Sequence, residues 1–127
     1  MKRDKAIKQL RPPIKSGENL TEEQEIEFFQ NNALRPILKF QHDILVIAFK
    51  DHAFRKKVDL NELRMDQLRK FIQFSFQKDQ KFRQLMIGIT IALFTIEELN
   101  FYNLNKKEIN KRIINMLIYR IIDSFED

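Results

Sequence analysis

His42 and His52 are the only imidazoles in this chain of 127 residues, and Ser16, Ser75 and Ser124 are its only serines. Ten residues apart on one predicted helix, the histidines stand about 15 Å apart along its axis and about 80° apart around it, too far to share a metal ion. Neither has a carboxylate three or four residues away, the spacing that helical Glu-x-x-His metal sites use. His42 lies beside Leu38, Leu45 and Val46, which predicts a core-edge histidine with one hydrogen bond; catalysis or ligation is the alternative. Ser75 and Ser124 have no histidine near in sequence to serve as a base, so linear order offers nothing for acyl transfer. Glu97 and Glu98 are adjacent and point in different directions on a helix, and Glu98 is expected to cap rather than to exchange protons. Two isolated glycines, Gly17 and Gly88, make neither a phosphate-cradling loop nor a dinucleotide fingerprint. No catalytic residue, metal site or cofactor is therefore expected.

Charge is distributed unevenly. Lys2, Arg3, Lys5, Lys8, Arg11 and Lys15 stand against Asp4 alone, so the first sixteen residues hold the whole net charge of +5. Residues 17–33 then carry five acids and no base. The Pro12-Pro13 pair and Gly17 predict an extended basic arm over residues 1–20, with Ile7, Leu10 and Ile14 available to strap it down. Residues 21–127 form the predicted helical domain. Six basic side chains suit a phosphate backbone, bound in a salt-sensitive and sequence-independent way. The acidic block beside them and the lack of interleaved aromatics weaken that reading, and the same block is able to hold the arm in cis or in a neighbouring subunit.

Twelve phenylalanines and no tryptophan favour burial over hydrogen-bonded recognition, and few glycines and prolines favour long helices over many short strands. The absence of cysteine excludes disulfides and thiol chemistry and permits a reducing compartment. The N-terminus has no apolar stretch of the secretory type, and the longest apolar run, Leu85 to Phe94, is too short to cross a bilayer, so a soluble, cytoplasmic protein is expected.

Five or six helices in one compact all-α bundle are predicted. Thr21 with Gln24 has capping-box spacing and opens a helix to Asn31-Asn32, where Pro36 marks a first helical position or a kink. A second helix to about Lys57 has Ile37, Phe40, Ile44, Ile47, Ala48 and Phe54 on one side and Leu38, Leu45, Val46 and Phe49 on the next, which predicts a central element. Asp59 or Asn61 caps a third to about Gln77, with Leu63 or Met65, Leu68, Ile72 and Phe76 inward. Asp79 caps a fourth from Gln80 to Phe94, apolar on nearly every side, in which Gly88 would admit a second backbone; a buried strand over Ile87 to Ile91 is the alternative. Thr95 with Glu98 and Asn105 with Glu108 repeat the capping-box spacing and open a short helix and a last one to about Phe125, whose apolar arc is too broad for one partner.

Through LRPPI (10–14), FFQNNALRPILKFQHDIL (28–45), QKDQKFRQ (77–84) and FTIEEL (94–99), the chain resembles a family of small, uncharacterised, all-helical bacterial proteins over nearly its whole length. Some members bear the label "glyoxalase", which implies metal-dependent chemistry in a βαβββ fold with ligands on strands. The two histidines on one predicted helix depart from that pattern, and no catalytic residue is carried over from it.

Phe74 lies away from the Leu68 and Ile72 stripe and beside Phe71, as an interface anchor or as a residue covered by the arm or a loop. The broad apolar arcs of the fourth and last helices favour self-association. The expected role is a non-enzymatic interaction module, self-associating or part of a larger assembly. A nucleic-acid or ribosome-associated protein anchored by the arm is the second reading, and an enzyme using a histidine the third.

Overall fold

The computed structural model describes residues 2–10 and 20–126. Described in chain order, the helices are α1 (Lys2–Leu10), α2 (Glu22–Phe29), α3 (Arg35–Phe40), α4 (His42–Arg55), α5 (Met65–Lys78), α6 (Gln80–Ile91), α7 (Ile96–Leu104) and α8 (Lys106–Ser124). A π-helical turn, Gln30–Leu34, joins α2 to α3, and a 3-10 turn, Leu60–Glu62, precedes α5. No strand occurs among the described residues, so Ile87 to Ile91 is helical. The bundle has more helical pieces than the five or six expected, partly because the basic N-terminus is not extended over Lys2–Leu10.

That first helix is docked through complementary ends. The Arg3 guanidinium donates to the carbonyls of Ala92 and Phe94, both at 2.7 Å, at the C-terminal end of α6. Next to it, the Asp4 carboxylate accepts from the Ile96 N–H at 3.2 Å, at the start of α7. A cation thus meets the negative end of one helix and an anion the positive end of the next, where backbone groups have no intrahelical partners. Ile7 is buried under α1, which completes the strap.

Thr21 and Gln24 form the expected reciprocal capping box on α2, as do Thr95 and Glu98 on α7. Asp79 caps α6 by accepting from the Phe82 N–H at 3.0 Å. Two cap expectations fail. Asn105 makes no side-chain cap on α8; its amide instead donates back to the Phe101 carbonyl. Asp59 caps the 3-10 turn through Asn61 N–H, and α5 begins later, where the Gln67 side chain accepts from the Arg64 N–H.

Pro36 explains the π turn. Without an N–H it cannot continue the α ladder, and the chain widens so that the Arg35 N–H bonds to the Gln30 carbonyl five residues back. The turn brings Ala33, Leu34, Ile37 and Leu38 into the core.

The helix at the centre is α8 rather than the second predicted helix. It packs against α4, α5, α6, α7 and the π turn, and this accounts for its broad arc of Ile109, Ile113, Leu117, Ile118, Ile121 and Ile122. Leu68, Ile72 and Phe76 of α5 turn inward as expected. Phe49 lies at the heart of the aromatic packing, with the rings of Phe71, Phe82 and Phe125 at 5.8–6.2 Å. Gly88 admits no second backbone: a Cβ built there would meet nothing within 4 Å.

Candidate functional site

Folding assembles one polar constellation that linear order conceals. His52 of α4 places Nε2 2.9 Å from the Ser75 hydroxyl of α5, while its Nδ1 faces the Asp79 carboxylate at 4.0 Å. Asp79 is held from three directions: its Oδ1 takes the Phe82 N–H, and its Oδ2 pairs with the Lys56 ammonium at 3.2 Å. The imidazole is stacked between the Phe82 ring at 4.0 Å and the Phe71 ring at 5.8 Å. Burial lowers the His52 pKa, Asp79 opposes that shift and Lys56 adds to it. The Asp79 pKa is lowered chiefly by the Phe82 backbone bond, with the Lys56 hydrogen bond adding to that against the opposing effect of burial.

Serine, histidine and aspartate in this order have the pattern of a nucleophile, its base and an orienting acid. Ser75 is 1% exposed, however, which closes its hydroxyl off from solvent in this arrangement. The constellation joins α4, α5 and the start of α6 as a buried polar pin. Its signal was invisible in sequence because the three residues are dispersed over twenty-eight positions and the pattern has no fixed spacing.

His42 lies elsewhere, on a groove of about 970 Å³ between α3 and the C-terminal half of α8. Its Nδ1 is 3.4 Å from the Arg120 guanidinium, which leaves the Nε2 position for the imidazole proton when Arg120 donates. Arg35, Lys39 and Arg120 supply positive charge to the groove, and Asp123 is the one acid lining it among the described residues. A smaller cavity of about 340 Å³, lined by Lys39, Phe40, His42, Asp43 and Arg120, adjoins it. The two histidines are thus separated into different environments and do not meet.

The largest departure from the sequence reading lies on α3 and α4. Leu38, Leu45 and Phe49 face the core, while Phe40, Ile44, Ile47 and Phe54, expected inward, are 50%, 52%, 66% and 80% exposed. Ile44, Ile47 and Phe54 share one face of α4 along about 15 Å of axis, and Phe40 precedes them at the end of α3. Asp51 on the same face is ion-paired to Arg55 at 2.8 Å. The burial expected for both apolar sides of this helix fails on one of them because α8 takes the central place and, with α6, packs on the side of Leu45 and Phe49.

Of the arm residues, Lys2, Lys5 and Lys8 are exposed on α1, Arg3 is engaged with the α6 carbonyls, and Arg11 and Lys15 lie outside the described residues. Phe74 is exposed on α5. Phe71 turns inward against Phe49 and His52, so the two do not form a joint surface anchor. Glu98 serves its cap. Among the described residues, no three of His, Asp and Glu gather into a group able to hold a metal ion, and no helix is long and apolar enough to cross a membrane.

No family model, curated protein or solved structure matches this chain.

Proposed function

We propose that this chain is a non-enzymatic helical interaction module that binds a second copy of itself through α4. The observation that carries this reading is the exposed row of Phe40, Ile44, Ile47 and Phe54. At about 200 Å² for a fully exposed side chain of this size, the row presents about 500 Å² of apolar surface per copy. Two copies would together cover about 1,000 Å², the lower range of specific interfaces.

Charge complementarity favours a second copy of the same helix in antiparallel register. Asp43 and Lys50 lie on one flank of the row, on either side of Ile47. A two-fold axis at Ile47 brings Phe40 against Phe54 of the other copy and each Asp43 towards the other copy's Lys50. One surface then satisfies itself, as a closed two-fold dimer requires. The cytoplasmic setting and the kinship with small bacterial helical proteins belong to the same proposal, with the absence of cysteine supporting a reducing compartment.

Sedimentation velocity over a concentration series tests the reading. A dimer is expected for the unaltered chain and a monomer of unchanged helicity for Ile47→Glu. A strictly monomeric unaltered chain at high micromolar concentration would sink it, as would a dimer indifferent to Ile44→Glu and Ile47→Glu.

The exposed Lys2, Lys5 and Lys8 favour a second reading, contact with nucleic-acid phosphate through α1. It requires retention on RNA or DNA that collapses as salt rises and is lost on changing these three lysines to glutamine.

A further inference from the structure

We propose that the groove between α3 and α8 is a binding site for a single-chain amphiphile with an oxyanion head, a carboxylate or phosphate monoester carried on an apolar body. This inference touches the self-association row at Phe40 alone, and its charged residues, Arg35, Lys39 and Arg120, lie outside that row.

Among the described residues, the charge lining the groove is mostly positive. Among the described lining residues, Arg35 and Lys39 approach from α3 and Arg120 from α8, against Asp123, an excess of two positive charges. Asp43, on the smaller adjoining cavity, is the other acid nearby. Arg35 donates to the Asn31 amide oxygen at 2.9 Å, and Arg120 is 3.4 Å from the His42 Nδ1. Among the described residues, no carboxylate is within ion-pair distance of Arg35, Lys39 or Arg120, although surface cations elsewhere in the bundle, such as Arg55, Arg69 and Arg112, have such partners. Burial pulls the Arg120 pKa below its ordinary value; Asp123 opposes that effect and Arg35 adds to it. An anion set between these cations would relieve both the desolvation and the mutual repulsion.

The rest of the lining specifies the body of the ligand. Leu38, Met116, Pro36, Phe40 and Tyr119 supply the apolar lining of the groove. A volume of about 970 Å³ is at the upper end of the range for small-molecule sites, which combine mostly apolar walls with a few placed polar groups. A bare inorganic anion would leave that lining wet, and an uncharged chain would leave the cations unpaired. The π turn forced by Pro36 helps to build the site, since it sets Asn31 and Arg35 on the groove side while Ala33 and Leu34 go to the core.

Titration calorimetry on the full chain, with octyl phosphate below its micelle concentration, tests the inference. One octyl phosphate per chain is expected, with octanoate binding similarly. Inorganic phosphate and octanol are each expected to bind at least tenfold more weakly. Arg120→Gln is expected to weaken octyl phosphate at least tenfold while leaving the circular dichroism and the oligomeric state unchanged. Should that variant unfold, Lys39→Gln at an exposed position is expected to weaken the same ligand severalfold. The inference is overturned by absent binding, by octanol binding as tightly as octyl phosphate, or by equal affinity in the folded variants. Sedimentation with phosphatidylserine vesicles without uptake of the free amphiphile would also overturn it, in favour of a bilayer surface.

Discussion

Nε2 of His52 lies 2.9 Å from the Ser75 hydroxyl, so a histidine and a serine separated by 23 residues share one hydrogen bond in the middle of the bundle. With the imidazole proton on the Asp79 side, Nε2 accepts the serine proton, and the neutral ring satisfies a hydroxyl that would otherwise be buried without a partner. The ring stacks on Phe82, whose own N–H is held by Asp79, so one polar pin fixes the relative positions of α4, α5 and α6.

This pin predicts a pH dependence of stability. Burial lowers the His52 pKa from 6.5, so the unfolded chain binds the proton more readily. The stabilisation is complete above about pH 6.5 and is lost as pH falls through the lower folded-state value. Asp79, also lowered, contributes in the same direction, in a separate window below its ordinary value of 3.8. Urea denaturation from pH 8 to pH 4 is expected to show the loss below pH 6.5 in the unaltered chain. His52→Leu, which strands the Ser75 hydroxyl at a cost of about 1–3 kcal/mol, is expected to show a flat profile across that interval.

Two glycine exchanges should act in the same direction. Lys57 ends α4 at φ 59°, with the Val58 N–H returning to the Ala53 carbonyl and the Lys57 N–H to Phe54, the Schellman pattern that favours glycine at this place. Gly88, by contrast, sits inside α6 with free space where a Cβ would go. Lys57→Gly and Gly88→Ala are each expected to raise stability by about 0.5–1 kcal/mol, read as a higher denaturation midpoint at unchanged slope.

Docking of α1 depends on Arg3 and Asp4 together. Arg3→Ala leaves the Ala92 and Phe94 carbonyls without their donor and is expected to cost about 1–2 kcal/mol and to speed amide exchange across α1 and the α6–α7 junction. Protection in α5 and the core of α8 should stay unchanged; loss of protection throughout would show that the strap is not a local unit.

The register proposed for the α4 dimer makes a charge-exchange prediction. Asp43→Lys alone and Lys50→Asp alone should each weaken dimerisation severalfold through like charges across the interface, and the double variant should recover most of it. Failure of the double variant to recover would reject the antiparallel register, while a response to Ile47→Glu would still show that α4 is the contact.

What the sequence determined by itself was local. Thr21 with Gln24, Thr95 with Glu98 and Asp79 announced helix starts because a cap and its partner are only three residues apart, and the inward row of Leu68, Ile72 and Phe76 followed from the helical period. The all-helical class was legible for the same reason. Tertiary structure alone decided which side of an all-round apolar helix is covered: periodicity ranks the faces of α4 by their own residues and says nothing of where α8 will lie. It also decided that Ser75 meets His52 and that Arg35, Lys39 and Arg120 converge on one groove, since those meetings join side chains from separate helices. The helical N-terminus was missed because the strongest forces on it come from residues about ninety positions away, where the exposed backbone groups of two other helices bind Arg3 and Asp4. Such contacts form only after the chain has folded back on itself, and short-range spacing contains no trace of them.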